Sequence, residues 1–505
     1  CVGYFQLQLY LSATGYFRHN QPMINRASPS SPLYEQVAER IAKLIQQGTL
    51  RAGDRIPSVR QLRSQLAVSV STVLEAYRLL ESEGLIEARP QSGYYVRAIR
   101  EHLLPEPSIS APEAVATPVG VGSLVSEILA AARNPQMIPL GASSPSPAVL
   151  PTLKLNQLLA KVARHADPTS NLYDLPPGNE TVRRRIARRS LIWGGSLTAE
   201  DLVITCGCME AINLCLKAVA RPGDTIAVES PVFYGCLQIL ESLGMKALEI
   251  PTHPRDGVSL EALESAIQAH PIKACLFTPS FSNPLGCCMP ELNRQRLVEL
   301  LSRSQIPLIE DDIFGELYFG ERRIKPCKFF DTQGMVLLCS SFSKDLAPGY
   351  RVGWTAPGRY RSQVERLKHS STIANPTLPQ LAVAEFLQSS GYDHHLRQLR
   401  KAYATQTQQM IQSVGQSFPE GTKVTRPTGG FLLWVELPPS INSLELYRQA
   451  MEHNISIVPG MIFSATQKYQ NCIRLNCGNP GSEEIEQAIA TLGQLAWRLS
   501  LANKL

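Results

Sequence analysis

The sequence has no C-x-x-C pair, although it holds twelve cysteines in 505 residues. The nearest neighbours are Cys206 with Cys208 and Cys287 with Cys288, and no histidines accompany them at metal-ligand spacing. A cysteine-based metal site is excluded. In a chain this long the thiols read as reduced, which predicts a cytoplasmic protein. Also missing is any run of about 18 apolar residues, so no membrane-spanning segment is expected. Strong charge of one sign is missing too. Charged residues make up 18% and the net charge is +6, which is compatible with a nucleic-acid partner without demanding one. A hydrophobic content of 44% rules out global disorder. An initiator methionine is absent: the chain starts at Cys1, and Cys1 to Tyr10 lacks the basic stretch of a signal peptide. Residues 1–30 are therefore read as an N-terminal extension, with 1–22, ahead of Met23, expected to lie outside the native protein.

What is present divides the chain in two. Over 31–97, Val37, Ile41 and Ile45 recur at helical spacing and Gly48 is the stop. Further helices are expected at 58–66 and 70–82, the last ended by Gly84, followed by a hairpin turning at Ser92-Gly93. Residues 98–121 carry Pro105, Pro107, Pro112 and Pro118 without periodicity and read as a linker. Its r.m.s. reach, if flexible, is about 25–30 Å. From 122 to 505 helical stretches alternate with short apolar strands, among them Leu202–Thr205, Thr225–Val228, Ala274–Thr278, Pro307–Asp311 and Val336–Cys339. Alternation of that kind predicts an α/β domain with a mainly parallel sheet, which binds ligands at the carboxyl ends of its strands.

Polar residues cluster at those ends. Ser340-Ser341-Phe342-Ser343-Lys344 follows one strand and leads to Arg351. Hydroxyls and a guanidinium suit phosphate oxygens, and a lysine of lowered pKa suits a Schiff base. An S-x-x-K motif also occurs in β-lactamases, but S-D-N and K-T-G are absent here. Thr205-Cys206-Gly207-Cys208-Met209 leads from a strand into a helix, where a glycine lets N–H groups approach an anion. Asn283-Pro284-Leu285-Gly286 follows a further strand and Glu310-Asp311-Asp312 ends another. A carboxylate there can keep a pyridine nitrogen protonated.

This ordered set resembles the fold-type I aminotransferase family over roughly 122–500, with a smaller C-terminal α/β subdomain. The resemblance implies pyridoxal 5'-phosphate (PLP) as cofactor, carried by Lys344. It implies Asp311 at the pyridine nitrogen, Asn283 at the ring hydroxyl and Phe233 stacked on the ring. Gly207, Cys208, Met209, Ser341, Ser343 and Arg351 would hold the phosphate, joined by Tyr173 from a partner subunit. Arg474 would take a substrate carboxylate. Plainer readings stand beside these: Phe233 as core, Asp312 in place of Asp311, Arg474 in a surface ion pair, Tyr173 as a loop aromatic. The sequence departs from the family at Phe314, where many members place a tyrosine that hydrogen-bonds the ring oxygen. Transamination is therefore expected to be slow or absent.

Between 33 and 96 there are eight Lys and Arg against seven Asp and Glu, which is not a basic domain. The segment is nonetheless similar to the GntR winged-helix family, including the P-S-x-R turn and the Ser-Gly wing. That resemblance implies a DNA face of Arg60, Ser69, Ser71, Thr72, Tyr77 and Gly93, with Ser69 capping the recognition helix; Tyr77 reads equally as core. The arginines 183, 184, 185, 188 and 189 read either as an extra DNA patch or, preferably, as a solvated face with ion pairs. A GntR-type head on an aminotransferase-like body resembles the MocR family of PLP-dependent transcriptional regulators. This implies a homodimer that binds a double-stranded DNA operator and an amino-compound effector. The alternatives are an active transaminase with a tethered winged helix, and a DNA-binding protein with a dead cofactor fold.

Overall fold

The computed structural model describes residues 32–46, 49–50, 53–82, 85–89, 92–96, 104–122, 125–126, 128, 134 and 136–502. The expected extension over 1–30 and the stops at Gly48 and Gly84 lie outside the described residues. The chain forms two compact units, Cys1–Leu103 and Leu104–Leu505.

In the first unit α1 (Leu33–Gln46), α2 (Val59–Leu66) and α3 (Val70–Ser82) precede an antiparallel pair, β1 (Ile86–Arg89) and β2 (Gly93–Val96). Val37 and Ile41 of α1 share a core with Val73, Ala76, Tyr77 and Leu80 of α3. Each such aliphatic side chain, once buried, contributes about 1.5–3 kcal/mol. Ser58 and Gln61 form a capping box at the start of α2, and Leu62 anchors that helix to the core. Ala67, at φ 52°, ends α2, and Ser69 Oγ accepts the Thr72 N–H at 3.0 Å to start α3. Arg55 bridges Tyr95 and extends the hairpin to a third short edge. At the turn Gly93 takes φ +107°, a conformation that strains other residues.

Tyr77 is not on the DNA face. It is wholly buried, its hydroxyl donates to Pro57 O at 2.5 Å, and its ring meets Tyr94 edge-on at 4.9 Å. The 3.6-residue period turns this position inward together with Val73 and Leu80.

The second unit is built on a mixed, mostly parallel sheet in the order Thr117–Pro118, Lys246–His253, Thr225–Ser230, Ile272–Phe277, Leu308–Asp311, Val336–Ser341, Gly353–Ala356, Val203–Thr205. The four central pairings are parallel; Gly353–Ala356 runs against both its neighbours. Nearly every residue of the central strands is buried, as helices on both faces require. A smaller C-terminal sheet orders Lys423–Val424, Leu432–Glu436, Cys472–Asn476 and Val458–Pro459. The expected linker over 98–121 is corrected from residue 104 onward. Thr117 pairs with Ala247 at the sheet edge, Val121 enters the main core, and Glu106 is ion-paired to Arg255. Backbone pairing and apolar burial hold a proline-rich segment that lacks periodicity of its own.

The arginine helix, Glu180–Arg189, forms no single basic patch. Arg183 is buried against Ala199 O and Glu200, Arg184 pairs with Glu180, and Arg189 pairs with Glu316 and Asp393. The eleven cysteines among the described residues are free thiols. No helix among the described residues is long and apolar enough to cross a membrane.

Substitution Tyr77→Phe should lower the stability of the first unit by about 1 kcal/mol, because Pro57 O loses its buried donor. Denaturant unfolding, localised by amide exchange in α3, reads this. A loss of DNA affinity at unchanged stability would return Tyr77 to the DNA face.

Candidate functional site

Five strand ends converge on one side of the main sheet. Val336–Ser341 leads to Lys344, Leu308–Asp311 ends on Asp311, and Val203–Thr205 leads through Gly207 into the helix Cys208–Val219. Thr225–Ser230 leads to Phe233, and Ile272–Phe277 to Asn283.

Lys344 is half-buried, and its Nζ donates to Ser143 O. Burial, with the neighbouring Arg474 charge, pulls its ammonium down to about 8. Phe314 lies 5.8 Å from Nζ, ring centroid to nitrogen, and packs edge-on against Phe431. Asp311 is buried, and burial pushes its carboxyl up to about 6. Its Oδ1 accepts from the Cys208 thiol at 3.3 Å and from Ile313 N–H at 3.1 Å; among the described residues Oδ2 has no donor. Asp312 faces the other way, ion-paired to Arg323. Strand alternation therefore selects Asp311 for the site.

Beside the lysine is a cup suited to a dianion. Gly207 has φ +87° and opens the helix, so N–H groups at the helix start point outward. A Cβ on Gly207 would collide with Arg351 Nη2, and one on Gly353 would lie 2.5 Å from the Gly207 carbonyl carbon. Only glycines allow the guanidinium and backbone to approach this closely. Arg351 donates to Cys206 O at 2.7 Å and reaches Ser343 Oγ at 3.5 Å; Ser341 Oγ accepts from Ser343 N–H at 3.3 Å. The Phe233 ring and Met209 both border Gly235 beside this cup.

Arg474 is fully buried, not at the surface. It donates to Asn283 Oδ1 at 3.1 Å and to Gly141 O, its Nε has no partner, and none of the described salt bridges includes it. The rings of Phe463 and Tyr234 lie 5.3 and 5.9 Å from its guanidinium carbon. A buried guanidinium with an orphaned N–H and no carboxylate is prepared for an anion from outside the chain.

Tyr173 is not brought to this site within the chain; it is 76% exposed on a loop with Leu172 and Leu175. In the first unit Arg60, Ser71 and Gly93 are exposed, and Thr72 is half-buried. The hydroxyls of Ser69, Ser71 and Thr72 form one group, with Ser69 Oγ 2.8 Å from each of the other two. Arg78 and Arg89 are occupied by Glu75 and Glu87.

Sequence reasoning missed Gly141 and Ser143, whose carbonyls hold the two key cations. A Cβ on Gly141 would lie 2.8 Å from Ser456 Oγ, so the tight approach was the one signal available. It also missed Glu210, which accepts from Cys206 N–H at 2.6 Å and pairs with buried Lys368 at 3.1 Å, fixing the entry to the cup.

Comparison with known proteins places these features. Residues 135–492 match the family described as "Aminotransferase class I and II", and residues 33–96 match "Bacterial regulatory proteins, gntR family". The chain is 40% identical to the uncharacterized HTH-type transcriptional regulator YdcR of Escherichia coli (strain K12), over 92% of this chain and 98% of that protein. It is also 40% identical to YjiR of the same organism, again an uncharacterized HTH-type transcriptional regulator, over 92% and 99%. Among solved structures it resembles LysN, the alpha-aminoadipate aminotransferase of Thermus thermophilus, complexed with N-(5'-phosphopyridoxyl)-L-leucine. That match has a TM-score of 0.69 and 28% identity, and covers 75% of this chain and 95% of that one.

Acetylation of the Lys344 amine, followed by mass spectrometry of its peptide, should titrate with a midpoint near 8. Arg474→Leu should raise that midpoint, because a neighbouring positive charge disfavours the ammonium. A wild-type midpoint at the ordinary lysine value, about 10.4, would contradict the geometry.

Proposed function

Because this chain belongs to the aminotransferase class I and II family and carries a gntR-family winged helix ahead of it, the plan of MocR-type regulators, we infer that its cofactor chemistry serves a switch on DNA. It is a DNA-binding transcriptional regulator, and pyridoxal 5'-phosphate is its cofactor. The observation that carries the reading is Lys344. An amine with lowered pKa sits beside a glycine-walled anion cup and a buried carboxylate, in one chain with a DNA reader.

The residues fit the cofactor. When bound, it supplies an electrophilic carbonyl and an electron-withdrawing ring. Lys344 is the attachment point, and Asp311 Oδ2 is left to accept a ring N–H. Gly207, Cys208, Met209, Ser341, Ser343 and Arg351 hold the phosphate at the helix start. Phe233 covers the ring and Asn283 reaches its hydroxyl. Arg474, with Nε unpaired, binds the carboxylate of an amino-compound effector. Exposed Tyr173, on a loop with two exposed leucines, completes the cup of a partner subunit, so the working form is a cytoplasmic homodimer. Arg60, Ser69, Ser71, Thr72 and Gly93 face the operator, and Ser69 also caps the recognition helix. The domain boundaries are 31–97 for the reader and 104–505 for the sensor.

Phe314 favours a sensor over a fast transaminase. It places a ring where a phenolic hydroxyl would stabilise one protonation state at the lysine. Phe314→Tyr should speed single-turnover amino transfer from an L-amino acid by about tenfold, equivalent to about 1.4 kcal/mol of barrier. Rapid transfer by the wild-type chain would favour the enzyme reading instead.

Borohydride reduction after equilibration with PLP should leave a pyridoxyl group on the Lys344 peptide, and Lys344→Ala should leave none. The same variant should still shift a DNA fragment containing the operator, because the first unit is untouched. No label on Lys344 would remove the PLP reading, and no DNA retention by either protein would remove the regulator reading.

A further inference from the structure

Resting on the reading above, we propose that Glu249 is a positioning residue that clamps the two walls of the effector site together and, through the chain Tyr469, Ser230, Thr252 and Ser110, ties them to the segment that leads from the winged-helix unit.

Glu249 lies in the strand Lys246–His253 and is buried. One carboxylate oxygen accepts Ser230 Oγ–H at 2.5 Å. The other accepts Ser464 Oγ–H at 2.8 Å and Ala465 N–H at 2.7 Å. Ser230 is three residues before Phe233, on the wall of the ring. Ser464 follows Phe463, whose ring lies against Arg474, on the wall of the carboxylate. A backbone bond from Val232 N–H to Phe463 O, at 2.9 Å, joins the same two walls. One carboxylate thus holds the main sheet to the C-terminal subdomain. Charge-assisted bonds of this kind are the strong ones, and a buried carboxylate that loses a donor is costly.

The clamp extends outward. Ser230 Oγ is 2.6 Å from the Tyr469 hydroxyl, a second side-chain link between the subdomain and Ser230. Ser110 exchanges bonds with Thr252: its N–H donates to Thr252 O at 3.1 Å, and its Oγ accepts Thr252 N–H at 2.7 Å. Thr252 Oγ1 in turn accepts Ser230 N–H at 3.0 Å, so Tyr469, Ser230, Thr252 and Ser110 form one hydrogen-bonded chain.

The segment around Ser110 grips both parts of the large unit. On the sheet side Glu106 pairs with Arg255 and Thr117 with Ala247. On the subdomain side Val424 N–H donates to Pro105 O at 3.0 Å, Arg426 to Leu104 O at 3.2 Å and Lys468 to Ala111 O at 3.3 Å. Residues 104–118 therefore form a strap across the junction that Glu249 clamps. An effector that draws Arg474 toward Phe233 moves Ser464 and Tyr469 relative to Ser230, and the strap cannot keep both sets of bonds. The effector thereby biases the strap between discrete arrangements.

The test uses the full-length protein and N-(5'-phosphopyridoxyl)-L-leucine as probe, since it joins the cofactor to an α-carboxylate. Binding is titrated by fluorescence, and amide exchange is read over 104–118. The wild type should bind the probe and change exchange in the strap by about 5-fold or more. Tyr469→Phe and Ser110→Ala should bind the probe within about 2-fold of wild type and lose the strap response. Glu249→Gln should bind PLP within about 2-fold and the probe about 5-fold or more weaker. Its unfolding midpoint shows whether it is folded; should it not fold, the Tyr469 and Ser110 variants decide. A wild-type strap unmoved by bound probe, or a full response in both latch variants, overturns the proposal. Failure of the wild type to bind the probe overturns the effector reading itself, and the titration tells the two apart.

Discussion

The site is organised around two positive side chains, Lys344 and Arg474, held close enough for one to disfavour the charge of the other. Burial disfavours the charge of both Lys344 and Arg474, and the Arg474 charge adds to the penalty at Lys344. Neither is neutralised by an ion pair among the described residues, so carbonyls of Gly141 and Ser143 and the amide of Asn283 hold them in place. Such an arrangement costs free energy that the scaffold must offset elsewhere. The sheet does so by fixing each strand end, and the glycines at 207 and 353 let backbone and guanidinium meet without side chains between. What the chain cannot satisfy internally, an anionic ligand can.

A second group of charges shows the opposite solution. Asp312, Arg323, Glu316, Arg189 and Arg400 pair among themselves behind the sheet. Asp311 and Asp312 are adjacent in sequence and opposite in role, because consecutive strand residues face opposite layers. The carboxylate with ready-made cations became structural, and the one facing a thiol and a lysine became part of the site. Arg189 belongs to the first class, which is why the arginine-rich helix is a source of internal ion pairs.

Much of this was legible in the sequence. Helix periods and the Ser-Gly turn gave the first unit, and alternating apolar strands gave the second. The motif residues Gly207 and Asp311 fall at a helix start and a strand end, and Lys344 and Arg351 lie on the connection between the strands Val336–Ser341 and Gly353–Ala356. Three things were not legible. Tyr77 carries a polar hydroxyl on the inward stripe of its helix, and the partners that satisfy it, Pro57 O and the Tyr94 ring, are distant in sequence. The segment after 104 has no hydrophobic period, because its order comes from bonds to residues such as Thr252 and Val424, far away in sequence. The carbonyls of Gly141 and Ser143 belong to the backbone, and side-chain motifs carry no record of them.

The near balance of charge over 33–96, eight cations against seven anions, shapes how such a reader searches DNA. Affinity for arbitrary DNA comes mainly from counterions released at phosphates. A head with few arginines free of ion pairs, Arg78 and Arg89 being held by Glu75 and Glu87, neutralises few phosphates and is only weakly detained by other DNA. Its search is then dominated by three-dimensional encounters, with short residence on each wrong site. Such a protein exchanges quickly between sites, so the occupancy of any one of them re-equilibrates promptly.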